Sequence, residues 1–223
     1  MIADRIKKIL DQIENIKNKT GFRRNIKLIA VTKTVSVDRI KEAINCGITD
    51  IGENRVQEAE QKIPQLVNCK VTKHLIGHLQ TNKVKKAVLL FDVIQSVDSF
   101  YLLEEINKQA EKICKIQECF VEIKISEEAT KYGLNPMELE EFMKKSAELK
   151  NIKITGLMAM APYFENPELT RPYFHRASDY YSLFAIRYSL SYMSMGMTND
   201  FGIAIEEGAN MVRIGTGIFG ERL

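Results

Sequence analysis

The chain has no run of 18 or more apolar residues, so no helix in it is expected to cross a membrane. Its four cysteines, Cys46, Cys69, Cys114 and Cys119, include no CxxC pair, and they read as the reduced thiols of a cytosolic protein. Three histidines, His74, His78 and His175, are too few and too scattered for a zinc site, and no metal is expected. The 32 Lys and Arg against 29 Asp and Glu leave a formal charge of +3 that forms no basic block. Nucleic acid is therefore not an expected partner, nor is a membrane. The start, Met1-Ile2-Ala3-Asp4-Arg5-Ile6, is charged and amphipathic and has no secretory core, which points to the cytoplasm. No Pro- or Gly-rich linker divides the 223 residues, so residues 1–223 are expected to form one domain.

What is present is a repeated unit: a short β-rich run, a polar turn, then a helical pattern. The β-rich runs are Lys27 to Val31, Asp50-Ile51, Val71 to Ile76, Val93 to Gln95, Glu118 to Ile125, Ile152 to Leu157, Leu190 to Met193 and Asn210 to Arg213. Ser36 and Asp98 read as helix caps, and Pro64 as a helix end. Eight βα units predict a (β/α)8 barrel, with the helix before the first strand an extra that closes the bottom or packs on the side. The competing fold is a doubly wound open sheet, but no GxGxxG follows the first strand.

Barrel active sites sit at the C-terminal ends of the strands. Lys33 ends the first, Asn54 the second; His78 follows the third; Ser194 and Thr198 follow the seventh; Arg213, Gly215 and Thr216 end the eighth. An amine at the rim of a core, partly stripped of water, can attack a carbonyl. A strand running into Ile214-Gly215-Thr216-Gly217 is backbone suited to phosphate. Together these suggest pyridoxal phosphate in a barrel. An arginine at position 213 would keep a facing pyridine nitrogen unprotonated and make the ring a poor electron sink. Each residue has a plainer reading: Lys33 as a solvated loop lysine, Asn54 as a helix cap, the glycines as turn chemistry alone.

The motifs resemble the pyridoxal phosphate homeostasis protein family, single-domain barrel relatives of alanine racemase. They run from Ala30-Val31-Thr32-Lys33-Thr34 through Ile51-Gly52-Glu53-Asn54-Arg55-Val56-Gln57-Glu58 and His74-Leu75-Ile76-Gly77-His78-Leu79-Gln80-Thr81-Asn82-Lys83. Lys131-Tyr132-Gly133, Gly156-Leu157-Met158, Met193-Ser194-Met195-Gly196-Met197-Thr198 and Val212-Arg213-Ile214-Gly215-Thr216 complete the series. The resemblance implies that Lys33 carries pyridoxal 5'-phosphate as a Schiff base and that Asn54 lies beside the ring. It implies that Ser194 and Thr198, with the amides of Gly215 and Thr216, hold the phosphate, and that Arg213 approaches the pyridine nitrogen.

The function so implied is cofactor homeostasis: binding pyridoxal phosphate and buffering or delivering it to apo enzymes, as a monomer, with little or no turnover and no catalytic residue. The alternative is an active racemase or decarboxylase. That would need a second acid/base opposite Lys33, and only Tyr163, Tyr173, Tyr180 and Tyr181 offer one, if their helix folds over the barrel mouth. A third class is an aldolase forming its Schiff base directly with a sugar phosphate.

Overall fold

The structure is a computed structural model that describes residues 1–127 and 132–221. Lys131 of the quoted motif lies outside the described residues. The chain begins with α1 (Ile2–Thr20) and then alternates strand and helix. The order is β1 (Lys27–Val31), α2 (Val37–Asn45), β2 (Asp50–Glu53), α3 (Val56–Lys62), β3 (Thr72–Leu75) and α4 (Val84–Leu90). There follow β4 (Val93–Val97), α5 (Phe100–Glu111), β5 (Gln117–Ile123), α6 (Leu139–Ser146), β6 (Ile152–Ala159) and α7 (Arg171–Ala185). The chain closes with β7 (Tyr192–Ser194), α8 (Phe201–Glu206), β8 (Met211–Ile214) and α9 (Thr216–Phe219). The strands are parallel and form a closed barrel, β1 pairing with both β2 and β8. The expected (β/α)8 barrel is therefore what forms, and the open sheet is not.

The period of two along each strand sorts side chains to the two faces. Ile29 points inward to Val93, Phe120, Met158 and Met211, which fill the barrel. Leu28 and Ala30 point outward and join Ile40, Val212 and Ile214 beneath the helices. Helix α1 carries one apolar stripe, Ile2, Ile6, Ile9 and Ile13, all buried. It lays that stripe on the side of the barrel against α2, α8 and α9. Full burial of one such isoleucine is worth about 1.5–3 kcal/mol, so this stripe anchors the helix.

Several boundaries differ from those read in the sequence. Ser36 sits at the start of α2 but its hydroxyl makes no capping bond. Ser99, not Asp98, caps α5, accepting from the Leu102 amide at 3.4 Å. Pro64 does not stop the chain; α3 ends at Lys62, and Pro64 opens a 3-10 turn over Ile63–Leu66. β7 starts later than expected because Leu190 is tied back to the end of α7, its amide donating to Ala185 O at 2.9 Å past Ser189 at φ 55°. The helix after β7 begins at Phe201; Asp200 Oδ1 accepts from the Met197 amide at 2.6 Å and holds the turn before it.

Candidate functional site

The C-terminal rim of the barrel gathers most of the residues singled out in the sequence. Lys33 stands two residues beyond β1, half-buried, on the parity that carries Ile29 inward. It lines a cavity of about 270 Å³ with Val31, Arg39, Gly215, Thr216 and Phe219. Strands one and eight are therefore neighbours twice over, by pairing and by a shared cavity.

The turn after β8 is braced by Thr198. Its hydroxyl lies 3.2 Å from the Thr216 hydroxyl and accepts from the Gly217 amide at 3.3 Å. A Cβ at position 217 would meet Ile214 Cγ2 at 2.8 Å, so only glycine lets the turn close this tightly. Two hydroxyls and successive amides at a barrel rim are the chemistry of an anion cradle.

Ser194 does not join them. Its side chain is fully buried inside the barrel, where the hydroxyl accepts from Arg213 Nη1 at 2.7 Å and donates to Gln95 Oε1 at 2.7 Å. The second Arg213 nitrogen, Nη2, donates to Ala159 O at 3.0 Å. A guanidinium can only donate, and this assigns every proton further down. Ser194 must give its hydrogen to Gln95 Oε1, so Gln95 Nε2 donates to His74 Nδ1 at 2.9 Å, and His74 Nε2 donates to Asp50 Oδ1 at 3.0 Å. Lys27 closes the chain at the bottom, 3.2 Å from the same oxygen. Ser194 was expected beside Thr198 at one anion; its hydroxyl is here engaged with Arg213 and Gln95.

Burial pushes the Arg213 guanidinium down to about 10, against the pull of Glu122 and Asp200, and it stays charged at neutral pH. Burial pushes the Glu122 carboxyl up to about 7, although Arg213 opposes this. Burial also favours the neutral form of Asp50, but hydrogen bonds from His74 and Thr49 outweigh it and hold that carboxyl at about 2.

Asn54 follows β2 and does not cap α3, whose N-terminal boundary residue is Arg55. Its Oδ1 is buried and has no hydrogen-bond partner. Leaving such an oxygen orphaned costs about 1–3 kcal/mol. Gly77 presses on the Asn54 backbone so closely that a Cβ would come within 2.3 Å of Asn54 O. His78, after β3, is stacked on Tyr132 with centroids 3.7 Å apart, its Nδ1 3.3 Å from Asp98 Oδ2.

Sequence reasoning passed over Glu122, Gln95 and Tyr132. The alternation on β5 marks Glu122 as sharing a face with Phe120, and that was the available signal. The tyrosines proposed as a second base lie elsewhere. Tyr181 donates to Leu190 O at 3.2 Å, Tyr173 packs on Phe164, Tyr180 packs on the core beneath the helices, and Tyr163 is exposed.

A parallel eight-stranded barrel with a lysine after the first strand and a glycine turn after the last is the architecture of the alanine racemase N-terminal domain. The chain belongs to that family, whose model matches residues 5–223. Within it, the chain is 41% identical to the pyridoxal phosphate homeostasis protein of Aquifex aeolicus over 223 residues, covering 99% of this chain and 98% of that one. It is 37% identical to the protein of the same name from Synechocystis, over 89% of this chain and 93% of that one. Among solved structures it resembles PipY of Synechococcus elongatus with PLP bound, at TM-score 0.87 and 32% identity, covering 99% of this chain and all of that one. An alanine racemase of Clostridium difficile shares the fold, at TM-score 0.75 and 16% identity, and this chain spans 57% of its length.

Proposed function

We propose that the protein binds pyridoxal 5'-phosphate covalently through Lys33 and buffers or delivers it to apo enzymes that depend on it. The single observation that carries this reading is the cavity where Lys33 meets the Gly215–Thr216 turn. The residues present fit the cofactor. Gly215, Thr216 and Thr198 offer a phosphate its amides and hydroxyls; the orphaned Asn54 Oδ1 is free to accept from a ring substituent; Arg213 offers the ring a fixed positive charge. Bound there, the cofactor supplies an aldehyde for attachment and a pyridine ring.

Each side chain has a distinct task. Lys33 provides the amine. Thr198 and Thr216 replace water around the phosphate. Ser194, itself held by Gln95, fixes the guanidinium of Arg213 in one orientation. A charged Arg213 opposes protonation of the facing ring nitrogen, so carbanion chemistry on the ring gains little. That favours carriage over turnover. Pyridoxal phosphate homeostasis is also what the similar proteins are named for.

The protein is proposed to act in the cytoplasm as a monomer, which light scattering on the loaded protein checks. To test carriage, loaded protein is mixed with an apo acceptor enzyme and, separately, with L- and D-amino acids in deuterated water. Cofactor transfer with negligible α-proton exchange is expected. Exchange at rates on the order of 1–1000 per second would identify an enzyme instead.

A further inference from the structure

We propose that Lys62, on α3, is the positioning residue for Lys33: it ties down the backbone on both sides of that lysine. This rests on the reading of Lys33 as the attachment point.

Lys33 sits two residues past the end of β1. On its N-terminal side, the Thr32 carbonyl accepts from Lys62 Nζ at 2.7 Å, and the Thr32 hydroxyl donates to Glu53 Oε1 at 2.6 Å. That same carboxylate oxygen accepts from Lys62 at 3.0 Å. On its C-terminal side, the Thr34 amide donates to Glu58 Oε1, and that oxygen accepts from Lys62 at 2.5 Å. An ammonium has three hydrogens. Here the three converge on Thr32 O, Glu53 and Glu58, so one atom joins β2 and α3 to both neighbours of Lys33. The cluster is shielded, with Lys62 11% and Glu53 3% exposed.

The restraint matters because Thr34 is strained. It lies at φ 62°, a left-handed conformation that a β-branched residue rarely adopts. Such strain persists only where surrounding contacts over-determine it, and the bond from the Thr34 amide to Glu58 is such a contact. Without Lys62, the buried Glu53 carboxylate would face the half-buried Glu58 and Glu58 would lose its anchor. Thr34 would relax towards ordinary φ and turn the end of β1, with Lys33, away from the Gly215–Thr216 turn.

Attachment condenses the Lys33 amine with the cofactor aldehyde; a C=N bond forms and water leaves. The test is the rate of attachment on the full chain. It is read by visible absorption and by borohydride trapping with peptide mass mapping, and thermal melts are run alongside. Lys33→Ala controls the underlying reading: if trapping is unchanged in that variant, the attachment point is elsewhere, whatever Lys62 does. With Lys33 established, Lys62→Met should slow attachment about tenfold while the label stays on Lys33, the size set by releasing one strained φ. Thr34→Gly in the Lys62→Met background should restore the rate to within about threefold, because glycine adopts φ 62° without help. Glu58→Ala, which leaves the Lys62–Glu53–Thr32 contacts in place, should slow attachment similarly and decides the question if Lys62→Met does not fold. Wild-type rates in Lys62→Met, or in Glu58→Ala where only that variant folds, would overturn the proposal. Slowing that Thr34→Gly fails to relieve would overturn it too, since Lys62 would then act otherwise than through the backbone.

Discussion

At the residue scale, Arg213 carries the most consequence. Its charge is buried, and what makes that tolerable is directional: Ser194 and the Ala159 carbonyl accept from it, and Glu122 lies near enough to oppose its charge. Ser194→Ala removes an acceptor from a buried guanidinium and a donor from Gln95. It should cost about 1–3 kcal/mol in urea unfolding and should weaken cofactor retention as well. A stability unchanged within error would show that the chain of bonds is dispensable.

Glu122 supplies a pH test. Its folded value, about 7, lies above the 4.5 of a free glutamate, so its stabilising contribution is complete below pH 4.5 and is lost as pH rises through 7. Going from pH 5 to pH 8, the wild-type protein should lose on the order of 1–3 kcal/mol that Glu122→Gln does not lose. Parallel pH profiles for the two proteins would contradict this. Asp50 acts in the opposite sense. Its value of about 2 lies below the ordinary 3.8, so its contribution is present above pH 3.8 and is lost as pH falls towards 2.

At the element scale, the last two strand-to-helix turns act as one unit, because Thr198 from the seventh touches Thr216 and Gly217 from the eighth. Thr198→Ala and Thr216→Ala should each reduce cofactor affinity by about 1–3 kcal/mol, measured by equilibrium dialysis. Unchanged affinity in the double variant would move the phosphate elsewhere. These turns were legible in the sequence because glycine and threonine after a β-rich run carry their own local chemistry. The eight strands were legible for the same reason, through alternation and punctuation. The setting of Ser194 was less legible, because β7 begins two residues later than its β-rich run. Ser194 is therefore the last residue of a strand and faces into the barrel, not part of the loop beyond it. Lys62 was invisible: on a polar helix stretch, Gln57-Glu58-Ala59-Glu60-Gln61-Lys62, it reads as solvent-facing. Its role emerges only when α3 packs against β2 and β1, a contact that no local pattern encodes. The alternation on β5 puts Glu122 on the face of Phe120, but it could not show how deep Glu122 lies or that Arg213 is near it.

At the scale of the whole molecule, the barrel divides labour along its axis. The lower interior is packed by Ile29, Val93, Phe120, Met158 and Met211, and beside them a file of bonds runs from Lys27 to Arg213. The upper rim carries the cavity, the glycine turn, the orphaned Asn54 oxygen and Lys33. A packed interior makes the rim a rigid platform on which loop residues can hold a ligand. The proposed function places one chemical event at one amine of that rim. The most direct measurement is therefore borohydride reduction of the protein loaded with pyridoxal phosphate, followed by peptide mass mapping. A pyridoxyl group on Lys33, lost with its visible absorption in Lys33→Ala, is the result expected. A label mainly on another lysine, with Lys33 unmodified, would contradict the proposed attachment and the carrier function built on it.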